Sequence, residues 1–149
     1  MRRGPFTFSN AKARSRTWNT SSKARTSAEP SADALVENGY TFRSSTDSEV
    51  LVNLIEYVRR TNGCTLFEAV QQALRQVVGA YAIAVVEKGN TDRIIAARQS
   101  SPMVVGIGEG EYFLSSDAAS IIEYTQDFVY VGDGEIAVIE RDKPLKVVT

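Results

Sequence analysis

The hydrophobic pattern of the chain changes its period at Gly79, and this change limits the possible folds more than any other feature. Before Gly79, apolar residues recur at helical spacing, as in the stripe formed by Leu51, Leu54 and Val58. After Gly79, short β-branched runs alternate with glycine-containing turns. Since hairpins join most of these runs, we expect a mainly antiparallel sheet with helices on one face. The sequence therefore predicts an α+β fold.

Two capping boxes predict an antiparallel helix pair ahead of the strands. In a capping box, a hydroxyl residue begins the helix and Glu or Gln follows three residues later. Thr46 and Glu49 have this spacing, and so do Thr65 and Glu68. Asn62-Gly63 separates the two helices as a stop signal.

The other predicted elements are short. A helix ends at Asn38-Gly39, and a short helical pattern follows Asp117, which is expected to cap it. The Gly132-Asp133-Gly134 sequence predicts a hairpin between its two flanking strands. The predicted strands cover residues 40–42, 81–86, 93–97, 103–107, 112–115, 128–131, 135–139 and 145–148.

The chain contains no histidine, and this excludes several classes of catalysis. Ser-His-Asp and Cys-His mechanisms need imidazole, and zinc sites need clustered Cys or His. Because Cys64 is the only cysteine and has no imidazole partner, it is predicted to be an inert loop thiol. We therefore expect no metal and no cofactor. One cysteine fits a reducing compartment, and no apolar run approaches the ~20 residues of a membrane span, so the expected location is the cytoplasm.

Residues 1–33 differ in composition from residues 34–149, which are predicted to form one domain. Seven Lys and Arg residues precede the first acidic residue, Glu29, and no helical or strand period is present. This composition predicts a disordered or non-native leader. A solvated tail or translation from a wrong start or frame accounts for it most simply, and an organelle transit peptide and a nucleic-acid-binding arm are the alternatives.

Asp47 is the candidate binding residue. It lies at a predicted helix start, where unpaired N–H groups stabilise a carboxylate. A helix cap is its simplest role, and a charge-assisted hydrogen bond to the α-amino group of an amino acid is the alternative. The glycines of Gly106-x-Gly108-x-Gly110 are interpreted as a tight turn rather than a phosphate loop, because strands flank them and no Lys-Ser/Thr follows.

Several segments resemble the type 2 glutamine amidotransferase domain of glucosamine-6-phosphate synthases, also called glutamine–fructose-6-phosphate aminotransferases. The similarity runs almost colinearly from about residue 35 to residue 148. The neighbouring phosphoribosylpyrophosphate amidotransferases are less similar around Ser116-Asp117 and Tyr124-Thr125. The matching motifs are Tyr40-Thr41-Phe42, Thr46-Asp47-Ser48-Glu49, Gly79-Ala80-Tyr81, Ala96-Ala97-Arg98, Ser101-Pro102, Gly106-Ile107-Gly108, Ser115-Ser116-Asp117 and Asp133-Gly134-Glu135.

The resemblance implies an N-terminal-nucleophile hydrolase fold, in which two antiparallel sheets lie between helical layers as an αββα sandwich. In that family an amino-terminal cysteine hydrolyses glutamine, and a second, isomerase domain uses the ammonia to convert fructose 6-phosphate to glucosamine 6-phosphate. Asp47 matches the family residue that holds the α-amino group of glutamine, so the resemblance favours this role over helix capping.

The chain departs from the family at its N-terminal side. It begins Met1-Arg2-Arg3 instead of Met followed by Cys-Gly-Ile, and the His-containing family motif is absent. We therefore expect a partial sandwich with exposed sheet edges, no catalytic residue, and no amidotransferase activity for this chain alone.

The expected partners are glutamine and either the isomerase domain or the remainder of the amidotransferase domain, without membrane or nucleic acid. The first hypothesis is an inactive fragment from a truncated or frame-disrupted gene. The alternatives are a non-catalytic binding module with a basic nucleic-acid- or anion-binding arm, and a fragment completed by a second polypeptide.

Overall fold

A computed structural model describes residues 32–44 and 46–149 of the 149-residue chain. The leader predicted for residues 1–33 falls almost entirely outside the described residues, and its boundary stays a prediction. The helices are α1 (Ala32–Glu37), α2 (Asp47–Asn62) and α3 (Leu66–Leu74), with a 3-10 turn at Ala118–Ser120. The strands are β1 (Tyr81–Glu87), β2 (Asn90–Gln99), β3 (Val104–Gly108), β4 (Glu111–Ser115), β5 (Phe128–Tyr130), β6 (Ile136–Glu140) and β7 (Lys146–Val148).

The stop signals and one capping box form as predicted. Gly63 ends α2 with φ of 58°, a left-handed conformation that glycine adopts without a Cβ penalty. Thr65 Oγ1 accepts the N–H of Glu68 at 3.3 Å, and Glu68 Oε2 accepts the N–H of Thr65 at 2.8 Å. Two otherwise unpaired N–H groups are therefore satisfied at the start of α3.

The seven strands form two antiparallel sheets. Sheet A has the order β1-β2-β6-β7, and sheet B has the order β4-β3-β5. Every pair of neighbouring strands in both sheets is antiparallel. The predicted predominance of antiparallel pairing is confirmed.

Successive side chains along the central strands of sheet A point to opposite faces of the sheet. Both faces are covered, so sheet A lies between two layers. On one face, Ile95, Ala97 and Ile136 pack with the buried stripes of α2 and α3. On the other face, the side chains pack against sheet B, in a cluster made of Ala96, Met103, Val105, Val131, Ala137 and Ile139. Helices, sheet A and sheet B thus form successive layers, which confirms the α+β class and the helix pair on one face. Of the four layers expected for an αββα sandwich, the described residues form three: the helices, sheet A and sheet B.

The predicted strand at residues 40–42 is wrong. The N–H of Tyr40 donates to the carbonyl of Leu35 at 3.0 Å, and that of Gly39 donates to Val36 at 2.9 Å. These two bonds form the closing motif of helix α1 and use a backbone donor that a strand would need. The Tyr40 ring instead packs edge-on against Tyr57 of α2, with ring centroids 6.3 Å apart.

The predicted hairpin around Gly132-Asp133-Gly134 is also wrong. The preceding strand, β5, pairs with β3 in sheet B, whereas the following strand, β6, pairs with β2 and β7 in sheet A. The segment therefore carries the chain from one sheet to the other. Two acidic side chains stabilise this crossover segment. Glu135 Oε2 accepts the N–H of Gly132 at 2.6 Å, and the Asp133 carboxylate binds Arg98 of β2.

Candidate functional site

Helix α2 begins at the candidate binding residue, Asp47. Thr46 precedes it as the N-cap, with extended dihedral angles of −84° and 138°. The Thr46 side chain makes no capping hydrogen bond, so the capping box predicted for Thr46 and Glu49 does not form. The Thr46 hydroxyl lies 2.9 Å from the hydroxyl of Ser44 instead.

The Glu49 carboxylate is engaged by the segment that leads into α2. Its two oxygens accept the backbone N–H groups of Arg43 and Ser44, both at 2.8 Å, and the Ser44 hydroxyl donates to it as well. The Arg43 N–H and the Ser44 hydroxyl lower the pKa of Glu49 below its ordinary value, because hydrogen bonds donated to a carboxylate favour its ionised form. Glu49 thus fixes the path by which the chain approaches Asp47.

Asp47 occupies the first turn of α2, and its side chain is exposed. Its Oδ1 accepts the N–H of the next residue, Ser48, at 2.9 Å. Its Oδ2 has no hydrogen-bond partner among the described residues. An ionised carboxylate with one free oxygen can accept a charge-assisted hydrogen bond from an ammonium group. The Asp47 carboxylate can therefore bind a cation or an ammonium group.

The only cysteine lies at the other end of α2 from Asp47. Cys64 follows the helix terminus at Gly63, is half-buried, and places its Sγ 3.9 Å from the carbonyl of Val58. Because α2 contains 16 residues and a helix rises 1.5 Å per residue, its two ends are separated by about 24 Å. The Cys64 thiol therefore cannot attack a small substrate that is held at Asp47.

The remaining sequence candidates have structural roles. Gly110, with φ of 70°, turns the chain between β3 and β4, whereas Gly106 and Gly108 lie within β3. A Cβ at Gly106 would lie 2.8 Å from the Thr125 Cγ2 atom, so glycine permits close packing there. Asp117 Oδ1 accepts the N–H of Ala119 at 2.9 Å and caps the 3-10 turn as predicted.

One polar cluster was not recognised from the sequence. Arg98 donates to the carbonyl of Val131 at 2.9 Å and forms an ion pair with Asp133, whose Oδ1 also accepts the N–H of Ser100 at 2.7 Å. Ser100 has φ of 53°, which is unusual for a residue other than glycine. The cluster joins two of the motifs that carry the family resemblance, but neither motif shows by itself that it contacts the other.

The described residues do not enclose Asp47. Two shallow depressions lie between the segment after α1 and the flank of α2, and both are lined by Asn38, Tyr40 and Arg60. Asp47 lines neither of them. A pocket around Asp47 would thus need walls from residues outside the described part of the chain.

Comparisons with known proteins decide the family. A family model described as a glutamine amidotransferase domain matches residues 28–123, which is more than half of the chain. This chain belongs to the glutamine amidotransferase domain family. The matched region includes Asp47, helices α2 and α3, and strands β1 to β4. The comparisons give no support to the alternative of a non-catalytic binding module.

The similar curated proteins share one description, glutamine–fructose-6-phosphate aminotransferase (isomerizing). The protein from Bacteroides thetaiotaomicron is 61% identical over 116 residues, which are 78% of this chain and 19% of that protein. The protein from Chlorobaculum tepidum is 51% identical over 109 residues, 72% of this chain and 18% of its own length. The protein from Methanothermobacter thermautotrophicus is 44% identical over 110 residues, which are 74% of this chain and 18% of that protein. The chain therefore spans about a fifth of the length of the curated relatives that it matches.

No helix among the described residues is long and apolar enough to cross a membrane.

Proposed function

We propose that this chain forms the glutamine-holding part of an amidotransferase of the glutamine–fructose-6-phosphate aminotransferase type. The observation that carries the proposal is Asp47, an exposed carboxylate at the start of a 16-residue helix within the matched family region. One of its oxygens is held by Ser48 N–H, and the other is free to accept a hydrogen bond from the α-ammonium group of glutamine.

The Glu49 contacts support this role by shaping the approach to α2. The exposed Asp47 carboxylate lies in the first turn of α2, at the positive end of the helix dipole. The carboxylate of Glu49 holds the backbone of Arg43 and Ser44 against the helix start. Asp47 binds the substrate in this proposal and takes no part in breaking the amide bond.

The nucleophile comes from outside the described body in this proposal. Glutamine hydrolysis needs an activated nucleophile next to the substrate amide, and Cys64 lies about 24 Å from Asp47 along α2. A further part of the amidotransferase domain would supply the nucleophile, and an isomerase domain would use the ammonia to aminate fructose 6-phosphate. We place this assembly in the cytoplasm, because the single cysteine fits a reducing compartment.

A binding experiment tests the role of Asp47. The full chain is titrated with glutamine and with 4-carbamoylbutanoate, which lacks the α-amino group, and binding is followed by NMR chemical shifts. The wild type is expected to bind glutamine more tightly, and Asp47→Asn should weaken glutamine binding ~10–100-fold, since the lost bond joins two charged groups. The variant should bind the two ligands equally.

Asp117→Asn is the matched control, because Asp117 is also an exposed aspartate at the start of a helical turn. Its substitution should leave glutamine binding unchanged. Equal binding of both ligands by the wild type, or unchanged glutamine binding by Asp47→Asn, would contradict the proposal. An ammonia-release assay completes the test: release that Cys64→Ser abolishes would identify Cys64 as the nucleophile and would refute the external one.

A further inference from the structure

The side chain of Ser44 links the segment before α2 to the first turn of that helix. Its hydroxyl donates to Glu49 Oε2 at 2.5 Å, because the ionised carboxylate of Glu49 can only accept hydrogen bonds. The Ser44 oxygen therefore accepts in both of its contacts with Thr46, from the backbone N–H at 3.3 Å and from the hydroxyl at 2.9 Å. The one proton and both lone pairs of the Ser44 hydroxyl are thus used.

These bonds form a closed ring that includes Asp47. The N–H of Glu49 donates to the carbonyl of Thr46 at 3.2 Å, so Ser44, Thr46 and Glu49 are all joined to one another. Asp47 lies between Thr46 and Glu49 in the chain. Thr46 has extended N-cap dihedral angles of −84° and 138°, although its side chain caps no N–H group. The ring therefore takes the place of a cap in holding the peptide that precedes Asp47.

The position of the free Asp47 oxygen depends on this peptide. Asp47 Oδ1 accepts the N–H of Ser48 at 2.9 Å, so the carboxylate is tied to the backbone of the first turn. A charge-assisted hydrogen bond from Oδ2 to an ammonium group needs a defined distance and direction. Loss of the ring would leave the charge of Asp47 in place but would make its position less well defined.

We propose that Ser44 and Glu49 are positioning residues, which hold Asp47 in the orientation that accepts the α-ammonium group of an amino-acid ligand. The inference rests on the proposed function of Asp47 and adds two residues that act through Asp47 without contacting the ligand. Their contribution is confined to ligands with an α-ammonium group, because only these ligands bond to the Asp47 carboxylate.

Glutamine and 4-carbamoylbutanoate distinguish positioning from a general effect on the fold. Glu49→Gln keeps the size of the side chain but replaces one accepting oxygen with an NH₂ donor. In the full chain it should weaken glutamine binding about three- to tenfold, less than Asp47→Asn, because the Asp47 charge remains. Binding of 4-carbamoylbutanoate should not change. In the Asp47→Asn background, Glu49→Gln should cause no further loss of glutamine affinity.

Glu68→Gln is the matched control. Glu68 has the same position in the first turn of α3, and its carboxylate accepts the N–H and the hydroxyl of Thr65, both at 2.8 Å. Its substitution should leave the binding of both ligands unchanged. Ser44→Ala should weaken glutamine binding as Glu49→Gln does, whereas Ser44→Thr, which keeps the hydroxyl, should not. Unchanged glutamine affinity in Glu49→Gln, or equal weakening of both ligands, would overturn the positioning role.

NMR order parameters of the ligand-free chain give a readout that does not depend on glutamine. The order parameters of the Asp47 and Ser48 amides should fall in Glu49→Gln and stay unchanged in Glu68→Gln. Unchanged values in Glu49→Gln would overturn the positioning role whatever the ligands show. If the wild type binds the two ligands equally, the proposed function of Asp47 fails, and lower order parameters in Glu49→Gln would still support Glu49 as the residue that holds Asp47.

Discussion

At the scale of single residues, Thr46 and Thr65 show that one sequence pattern has two structural outcomes. Each threonine is followed three residues later by glutamate, and only Thr65 forms the capping box. The carboxylate of Glu49 is occupied by the N–H groups of Arg43 and Ser44, which belong to the segment before α2. The local sequence correctly predicts that the Glu49 carboxylate accepts backbone N–H groups near the start of α2. Which N–H groups donate to it depends on the path of the preceding chain.

Substitution of the two threonines should separate these outcomes. Thr65→Ala removes a side chain that accepts the N–H of Glu68, and it should lower the free energy of unfolding by about 1 kcal/mol. Thr46→Ala is the matched variant and should cost clearly less, because Thr46 makes no capping bond. Urea denaturation of both variants measures the difference. Equal losses would contradict the structural distinction.

The Glu49 contacts should open in acid. Hydrogen bonds from the Arg43 N–H and the Ser44 hydroxyl lower the folded-state pKa of Glu49 below the ordinary pKa of a glutamate side chain. A carboxyl group with a lowered pKa stabilises the folded state above its unfolded pKa, and this contribution is lost as pH falls through the folded value. The amide signals of Arg43 and Ser44 should therefore shift together in an NMR titration below pH 4.5. Glu49→Gln should abolish that shared transition, and its persistence would exclude Glu49 as the cause.

At the scale of secondary structure, the sequence predicts elements better than their partners. All seven strands of the two sheets correspond to strand-forming runs, because alternation and turn residues are local signals. The Gly132–Asp133–Gly134 segment shows the limit of this approach. A hairpin and a crossover between stacked sheets use the same turn residues, and the long-range contact of Asp133 with Arg98 distinguishes them. Nothing in the local sequence specifies that contact, since 35 positions separate the two residues.

The crossover should depend on the Asp133 carboxylate. Asp133→Ala removes an ion pair with Arg98 and a hydrogen bond from the Ser100 N–H, so it should lower the free energy of unfolding by about 1–2 kcal/mol. Asp92→Ala is the matched control: Asp92 pairs with Arg141 at 3.0 Å, and both side chains are more than 60% exposed. An exposed pair of this kind contributes less than about 1 kcal/mol. Thermal unfolding of both variants measures the contrast, and a loss for Asp92→Ala as large as that for Asp133→Ala would argue against it.

At the scale of the whole molecule, the candidate site is less predictable than the fold. The sequence alone favours a capping role for Asp47, and only the family resemblance favours substrate binding. In the structure, Asp47 and Cys64 are separated by the length of α2. This separation arises because the helix is continuous through residue 62. The described residues do not enclose Asp47, so no pattern within them predicts the walls of the proposed glutamine pocket.

The outer face of sheet B provides the last prediction at this scale. Tyr130 lies opposite Val104 on the face that also holds Gly106, and Tyr124 stacks on Phe113 with ring centroids 5.5 Å apart. Tyr124 and Tyr130 are 68% and 70% exposed, and exposed aromatic patches of this kind bind hydrophobic dyes. The double variant Tyr124→Ser, Tyr130→Ser should therefore bind less anilinonaphthalene sulfonate than the wild type, with little change in unfolding temperature.

Val78→Ser is the control for the dye experiment, because Val78 is 87% exposed and lies between α3 and β1, away from sheet B. Its substitution should leave dye fluorescence unchanged if binding needs a contiguous aromatic surface. Equal decreases in the control and the double variant would show that the dye reports general apolar exposure. A decrease confined to the double variant would locate the exposed apolar surface of the molecule on sheet B, on the face opposite to the one that packs against sheet A.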